Sequence, residues 1–141
     1  MSLSQNIFTP RKLYFSKAYL SLNRNAIIVY GAFLCKRQFV KSGHNGQHKW
    51  LFVNNGELVF VYSEAQNKYN ISAKQFTRAI DQLIQVGFLD INKPGKSLGK
   101  IPTVYTLSDR WMKYGELDFI EKRRNRRKIQ EGFSSPQKMA K

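Results

Sequence analysis

Ile71-Ser72-Ala73-Lys74-Gln75-Phe76-Thr77-Arg78-Ala79-Ile80-Asp81-Gln82-Leu83-Ile84-Gln85-Val86-Gly87-Phe88-Leu89 is the stretch from which the rest of the chain is read. Ser72 and Gln75 have the spacing of a capping box, in which a hydroxyl and an amide satisfy the first free N–H groups of a helix. Ile71 and Phe76 flank that cap as a hydrophobic staple does, and Gly87 supplies the left-handed residue on which helices end. These signals predict a helix over 73–86. Phe76, Ala79, Ile80, Leu83 and Ile84 fall on one side of it, and Ala73, Lys74, Thr77, Arg78 and Asp81 on the other. One face is built to pack and the opposite one is left to water or a ligand.

Working outward, Tyr62, Ala65, Gln66 and Tyr69 stand at helical spacing around Ser63, which predicts a helix of about two turns. With the tight Tyr69-Asn70-Ile71-Ser72 turn this makes a helix-turn-helix, whose second helix offers its first residues to the major groove of a duplex. Ser72, Lys74, Gln75, Thr77 and Arg78 are the candidate DNA-binding residues of that helix. Basic and amide side chains there can form hydrogen bonds with guanine or adenine edges that a wrong base cannot complete. After Gly87, Phe88–Asn92 and Thr103–Leu107 read as two strands around a loop, 93–100, with two Gly, one Pro and three Lys but no acid. Lys93, Lys96 and Lys100 suit contact with a phosphate backbone.

Upstream, Met1 to Lys12 is polar and reads as an arm. Leu13, Tyr14, Phe15, Leu20 and Leu22 are expected as apolar anchors around Ser16, a helix cap. Ile27, Val29-Tyr30 and Phe33-Leu34 recur in three- and four-residue steps, predicting one amphipathic helix over 25–39 that closes on Lys36-Arg37. Cys35, among apolar neighbours, is expected to be a small buried hydrophobe, and a single cysteine cannot form an internal disulfide. Lys41–Lys49 reads as a turn-rich linker. Trp50–Phe52 and Glu57–Tyr62 flank Asn54-Asn55-Gly56, a hairpin signal.

Charge narrows the partner. The 24 Lys and Arg against 9 Asp and Glu leave +15, an imbalance that repels itself unless a polyanion offsets it. Residues 121–141 hold 8 basic and 2 acidic residues, so residues 1–120 keep 16 and 7, or +9, and the folded part is basic in its own right. Ribosomal and membrane-surface proteins share such a balance, which leaves the decision to pattern. A hydrophobic share of 42% is enough to fill a core. No leader-like run and no stretch near 18 uninterrupted apolar residues occurs, so a cytoplasmic protein is expected, nucleoid-associated or in a host-cell cytoplasm, with no membrane partner.

Helix, short helix, capped helix ending in Gln85-Val86-Gly87-Phe88-Leu89, basic loop and the Tyr105-Thr106-Leu107 strand together resemble the winged helix-turn-helix DNA-binding superfamily, over roughly 16–114. Tyr105-Thr106-Leu107-Ser108-Asp109-Arg110-Trp111, followed by Tyr114-Gly115, is similar to small regulators and replication-associated proteins of phages and plasmids. The resemblance implies an α+β fold of about three helices and a small antiparallel sheet over 13–120, between an arm, 1–12, and a basic tail, 121–141. It implies that 73–86 is the recognition helix and 93–100 the wing, in a DNA-binding regulator or replication factor. The long Trp50–Tyr62 segment departs from the shortest winged domains.

In the tail, Lys122, Arg123, Arg124, Arg126, Arg127 and Lys128 concentrate six cations in seven positions and suit phosphate contacts that steepen salt dependence without selecting sequence. A solubility tail or an import signal would look the same. His44 and His48 have the spacing of a metal pair but sit among Gly43, Asn45, Gly46 and Gln47, where no helix would hold both rings on one side. No phosphate-binding glycine loop, nucleophile elbow or carboxylate pair accompanies them. The expectation is therefore a non-enzymatic protein without metal or cofactor whose partner is double-stranded DNA. A module for structured RNA, a module for protein contacts, and a homodimer on two half-sites all stay open.

Overall fold

The computed structural model describes residues 9–42, 49–52, 57–96 and 100–123. The fold is α+β, with four α-helices and a three-stranded antiparallel sheet among the described residues. A 3-10 turn, Arg11–Phe15, leads into α1 (Lys17–Leu20) and α2 (Arg24–Lys36). Then follow β1 (Phe39–Ser42), β2 (Lys49–Phe52), β3 (Leu58–Val59), α3 (Tyr62–Tyr69), α4 (Ala73–Val86), β4 (Leu89–Lys93), β5 (Val104–Leu107) and a second 3-10 turn, Arg110–Lys113. The sheet order is β3-β5-β4.

Helix α4 forms as its sequence demands. Gln75 N–H donates to Ser72 Oγ at 3.2 Å and Ser72 N–H donates to Gln75 Oε1 at 2.9 Å, closing the capping box. Phe76, Ala79, Ile80, Leu83, Ile84 and Val86 are buried. At roughly 1.5–3 kcal/mol for each large side chain removed from water, that face contributes on the order of 10 kcal/mol before entropy is counted, against about 1 kcal/mol for the cap. Packing therefore makes the helix, and the cap sets where it starts.

Helix α4 lies on α2, whose inward stripe is Ala26, Val29, Tyr30 and Phe33. Gln82 locks the pair at one end: its Oε1 accepts from Asn23 N–H at 3.1 Å and its Nε2 donates to Ser21 O at 3.0 Å. Two aromatic groups fill the space beneath the sheet. Phe60 meets Phe33 and Phe76 at 5.3 and 5.2 Å, while Phe88 stacks on Trp111 at 5.7 Å and touches Tyr30 at 4.7 Å.

Gly87, at φ +110°, reverses the chain after α4. A Cβ there would stand 2.6 Å from Trp111 N, so no side chain fits. Its carbonyl accepts from Trp111 N–H at 3.1 Å, and Phe88 O accepts from Ser108 N–H at 2.9 Å.

Several expectations are corrected. Residues 50–52 do not pair with 57–62: β2 pairs with β1 (Phe39↔Phe52 to Ser42↔Lys49), and β3 pairs with β5. Leu58, 1% exposed, belongs to the core under β5, and that burial outweighs the local turn signal. Asn54-Asn55-Gly56 lies outside the described residues. Both ends of the expected 41–49 linker are strand, and α2 stops at Lys36, so Phe39 is strand rather than helix.

Cys35 is exposed, because it sits eight residues after Ile27 on the outer side of α2, where Ile27 is itself 36% exposed. Ser16 caps α1 as expected, accepting from Tyr19 N–H, but a single turn has one inward side. Leu13 and Leu22 are buried, whereas Phe15 (75% exposed) and Leu20 (71% exposed) are not anchors.

Candidate nucleic-acid interface

The joint between α3 and α4 fixes how the outer face of α4 is presented. Asn70 adopts the left-handed conformation (φ 56°, ψ 44°) that ends α3, and its N–H donates to Gln66 O at 3.1 Å. Ile71 N–H reaches back to Ala65 O at 3.3 Å while its side chain, 2% exposed, enters the core. Ser72 then opens α4. Asn tolerates the left-handed region better than other non-glycine residues, so this short turn carries little strain.

On the outer face, Lys74 and Arg78 are exposed and Thr77 and Asp81 partly so. With Ala73 they line an open groove of about 420 Å³ along the helix. The two cations are four residues apart and thus stand one above the other on the first two turns. Ser72 and Gln75 are exposed beside them, but the Ser72 hydroxyl and Gln75 carbonyl oxygens already accept from the helix start. What they retain for a ligand is chiefly donors, the hydroxyl hydrogen and the amide NH₂. Asp81 sets a carboxylate beside these cations on the same face.

The β4–β5 hairpin carries the three lysines, Lys93 at the end of β4 and Lys96 and Lys100 on the connection. β4 and β5 lose register between Ile91 and Lys93, a bulge that bends and twists the strand as it leaves the sheet. Beyond it Lys96 and Ile101 exchange backbone hydrogen bonds at 2.8 and 2.9 Å, and Gly95 N–H donates to Thr103 Oγ1 at 3.0 Å. A Cβ on Gly95 would lie 2.7 Å from Thr103 N, so this pinch requires glycine. Lys93, which the structure makes the last residue of β4 rather than part of the loop, and Lys96 and Lys100 beyond it are all exposed, Lys100 with φ 54°, and residues 97–99 lie outside the described residues. Among the described residues none of the three lines the α4 groove.

The start of the tail is placed elsewhere. Lys122 Nζ is 3.6 Å from Asp90 Oδ1, and Arg123 pairs with Glu121 at 2.8 Å, so both of these cations already have carboxylate neighbours. Gln85, near the end of α4, reaches Glu121 at 3.5 Å. The tail root thus lies at the far end of the helix from Lys74, roughly 16 Å away at about 1.5 Å per residue. Arg124, Arg126, Arg127 and Lys128, like His44 and His48, lie outside the described residues. Among the described residues no group of three or more His, Cys, Asp or Glu could hold a metal ion. No helix among them is long and apolar enough to cross a membrane.

The residue that does most to hold this arrangement is Arg110, which sequence reasoning passed over. Its guanidinium donates to Asp90 Oδ1 (2.6 and 3.2 Å), Ile84 O (2.8 Å), Leu89 O (3.1 Å) and Ile120 O (2.9 Å). One planar group thereby joins the end of α4, the start of β4 and the chain leaving the fold. On the other side, Lys36 donates to both oxygens of Glu64 (2.7 and 2.6 Å) and lies 4.8 Å over the Phe60 ring, tying α2 to α3. Burial alone would raise the Glu64 carboxyl, but the hydrogen bonds and charges of Lys36 and Lys68 outweigh it and hold the pKa below its usual value.

Compared with family models, curated proteins and solved structures, the chain finds no match.

Proposed function

We propose that this protein is a winged helix-turn-helix protein that binds double-stranded DNA in a sequence-dependent way, serving as a transcriptional regulator or replication-associated factor of a phage, plasmid or prokaryote. The observation that carries this reading is the outer face of α4. Its first two turns present Lys74, Thr77 and Arg78 around an open groove while the opposite face is wholly buried. A helix so mounted fits a major groove about 12 Å wide. The order α2, β3, α3, α4, β4, β5, with the β4–β5 lysines at a bent hairpin, supports the reading of that hairpin as a wing on the phosphates. The overall +15 supplies long-range attraction to a polyanion.

In this reading Arg78 and Lys74 donate to purine edges and Thr77 contacts a base edge or methyl. Lys93, Lys96 and Lys100 fix register on the backbone, and the arginines and lysines from 122 to 128 add phosphate contacts. Selection of bound sites from random duplex DNA, followed by anisotropy titrations, tests it. Arg78→Ala is expected to lose about 1–3 kcal/mol on the selected site and little on random duplex. Replacing Lys96 and Lys100 by Gln should weaken both equally and flatten the salt dependence. Equal losses on both duplexes for Arg78→Ala, or tighter binding to structured RNA than to any duplex, would overturn it.

A further inference from the structure

Exposed apolar side chains collect at the end of the molecule opposite the start of α4. Leu20 precedes Ser21, whose carbonyl accepts from Gln82 Nε2 at 3.0 Å. Met112 follows Trp111, whose N–H donates to Gly87 O at 3.1 Å. Ile120 O accepts from Arg110 Nη1 at 2.9 Å, and the same guanidinium holds Ile84 O at 2.8 Å. Three exposed side chains are thereby fastened to the last turns of α4. The short helix α1 brings two more: Phe15 directly precedes its cap, and Leu117 follows Gly115, where a Cβ would stand 3.6 Å from Lys17 Cδ. Each of the five is between 45% and wholly exposed. Charge sets this end apart as well. Residues 11–21 and 109–121 hold five Lys or Arg and four Asp or Glu, a net +1, whereas residues 22–108 hold eleven and four, or +7.

From this juxtaposition we propose that the face binds a second copy of this chain, in a twofold dimer centred on Phe15, Leu20, Met112, Leu117 and Ile120. At roughly 150–200 Å² for a wholly exposed large side chain, the five offer on the order of 600 Å² of apolar surface. That is the upper end for a lone monomer, and with a polar rim it approaches the roughly 800 Å² that each partner of a stable pair buries. A polyanion is drawn to cations, not to a nearly neutral apolar face, so the occupant is protein. The rim carries both signs, Lys17 and Lys113 with Glu116 and Asp118, all exposed. A twofold axis can set the acids of one copy against the lysines of the other, which makes the face complementary to itself. Residues 122–141, with eight basic residues and one acid, leave from this end and repel their counterparts, so added salt should tighten the pair. Lys74 and Arg78 stand at the other end of α4 and stay open in it.

The experiment is sedimentation equilibrium of the full, nuclease-treated chain from about 1 to 200 μM, at about 0.1 and 0.5 M salt. The expected result is a reversible monomer–dimer equilibrium in the micromolar range that is tighter at the higher salt. Leu20→Glu and Leu117→Glu should each weaken association by about 30-fold or more while keeping the wild-type circular dichroism spectrum. Ile101→Glu, at an exposed apolar residue of the β4–β5 hairpin, should leave it unchanged. A monomer at every concentration, as when residues 1–8 or 124–141 of the same chain or a different protein cover the face, would overturn the proposal. So would association that salt abolishes, wild-type association in the folded Glu variants, or an equal loss in Ile101→Glu. Should Leu20→Glu fail to fold, Leu117→Glu decides, since its side chain is wholly exposed. None of these outcomes bears on what the outer face of α4 binds, because no nucleic acid is present.

Discussion

Arg110→Ala removes the one side chain that joins three separate pieces of the chain, and the size of its effect can be worked from the contacts. The guanidinium makes five short hydrogen bonds, two to the Asp90 carboxylate and three to main-chain carbonyls, and the side chain is 15% exposed. Hydrogen bonds to a charged group are worth about 1.5–3 kcal/mol each, but they do not add, and water can re-enter around Asp90 and Ile120 once the arginine is gone. Removing one partner of a fully buried pair costs about 3–5 kcal/mol, and this pair is only mostly buried. A loss of about 3 kcal/mol is expected. Arg110→Lys keeps the charge but not the planar fork, so it can serve Asp90 yet not all three carbonyls, and about half the loss should remain.

Urea unfolding followed by circular dichroism at 222 nm measures this directly. With a slope of about 1.5 kcal/mol per molar urea, the Arg110→Ala midpoint should fall by about 2 M. A fall of less than about 0.5 M would refute the assignment of Arg110 as the clamp. A lysine variant as damaged as the alanine variant would refute the division between charge and fork geometry.

Two further outcomes follow from other contacts. Gly87→Ala combines a positive φ with backbone atoms at 2.6 and 2.8 Å from the new Cβ, and should cost about 3–5 kcal/mol by the same urea assay, with loss of the near-ultraviolet signal from the Phe88–Trp111 stack. A cost under about 1 kcal/mol would show that the turn can relax. Glu64→Gln should cost about 1–2 kcal/mol at pH 7. Because the folded-state pKa of Glu64 is depressed, the wild-type advantage is complete above the unfolded value near 4.5 and disappears as pH falls through the lower folded value. A wild-type-to-variant gap that is as wide at pH 3 as at pH 7 would contradict the ion-pair assignment.

How much of this was legible in the sequence depended on whether the deciding interaction was local. The bounds of α4 were readable because Ser72, Gln75 and Gly87 act within a few residues of themselves, and the outward position of Lys74 and Arg78 followed from the same periodicity. Pairing was not readable, since Asn54-Asn55-Gly56 signals a turn but says nothing of the Tyr105 partner that claims Leu58. The exposure of Cys35 was hidden because α2 is apolar nearly all round, and only the buried stripe through Ala26 and Phe33 shows which side faces inward. Arg110 carries no local signature at all: its partners lie 10 to 26 residues away, and their convergence is a property of the folded chain.

The joint at Asn70-Ile71-Ser72 has a consequence for how such a protein can change. Each of the three residues has a separate task, since the first closes one helix, the second is sunk in the interior and the third opens the next helix. One added residue would turn the second helix by about 100° against its neighbour and carry the cationic side toward the interior. Length is therefore frozen here, and any change in what the outer face offers has to come from exchanging side chains on a fixed mount, never from lengthening the hinge.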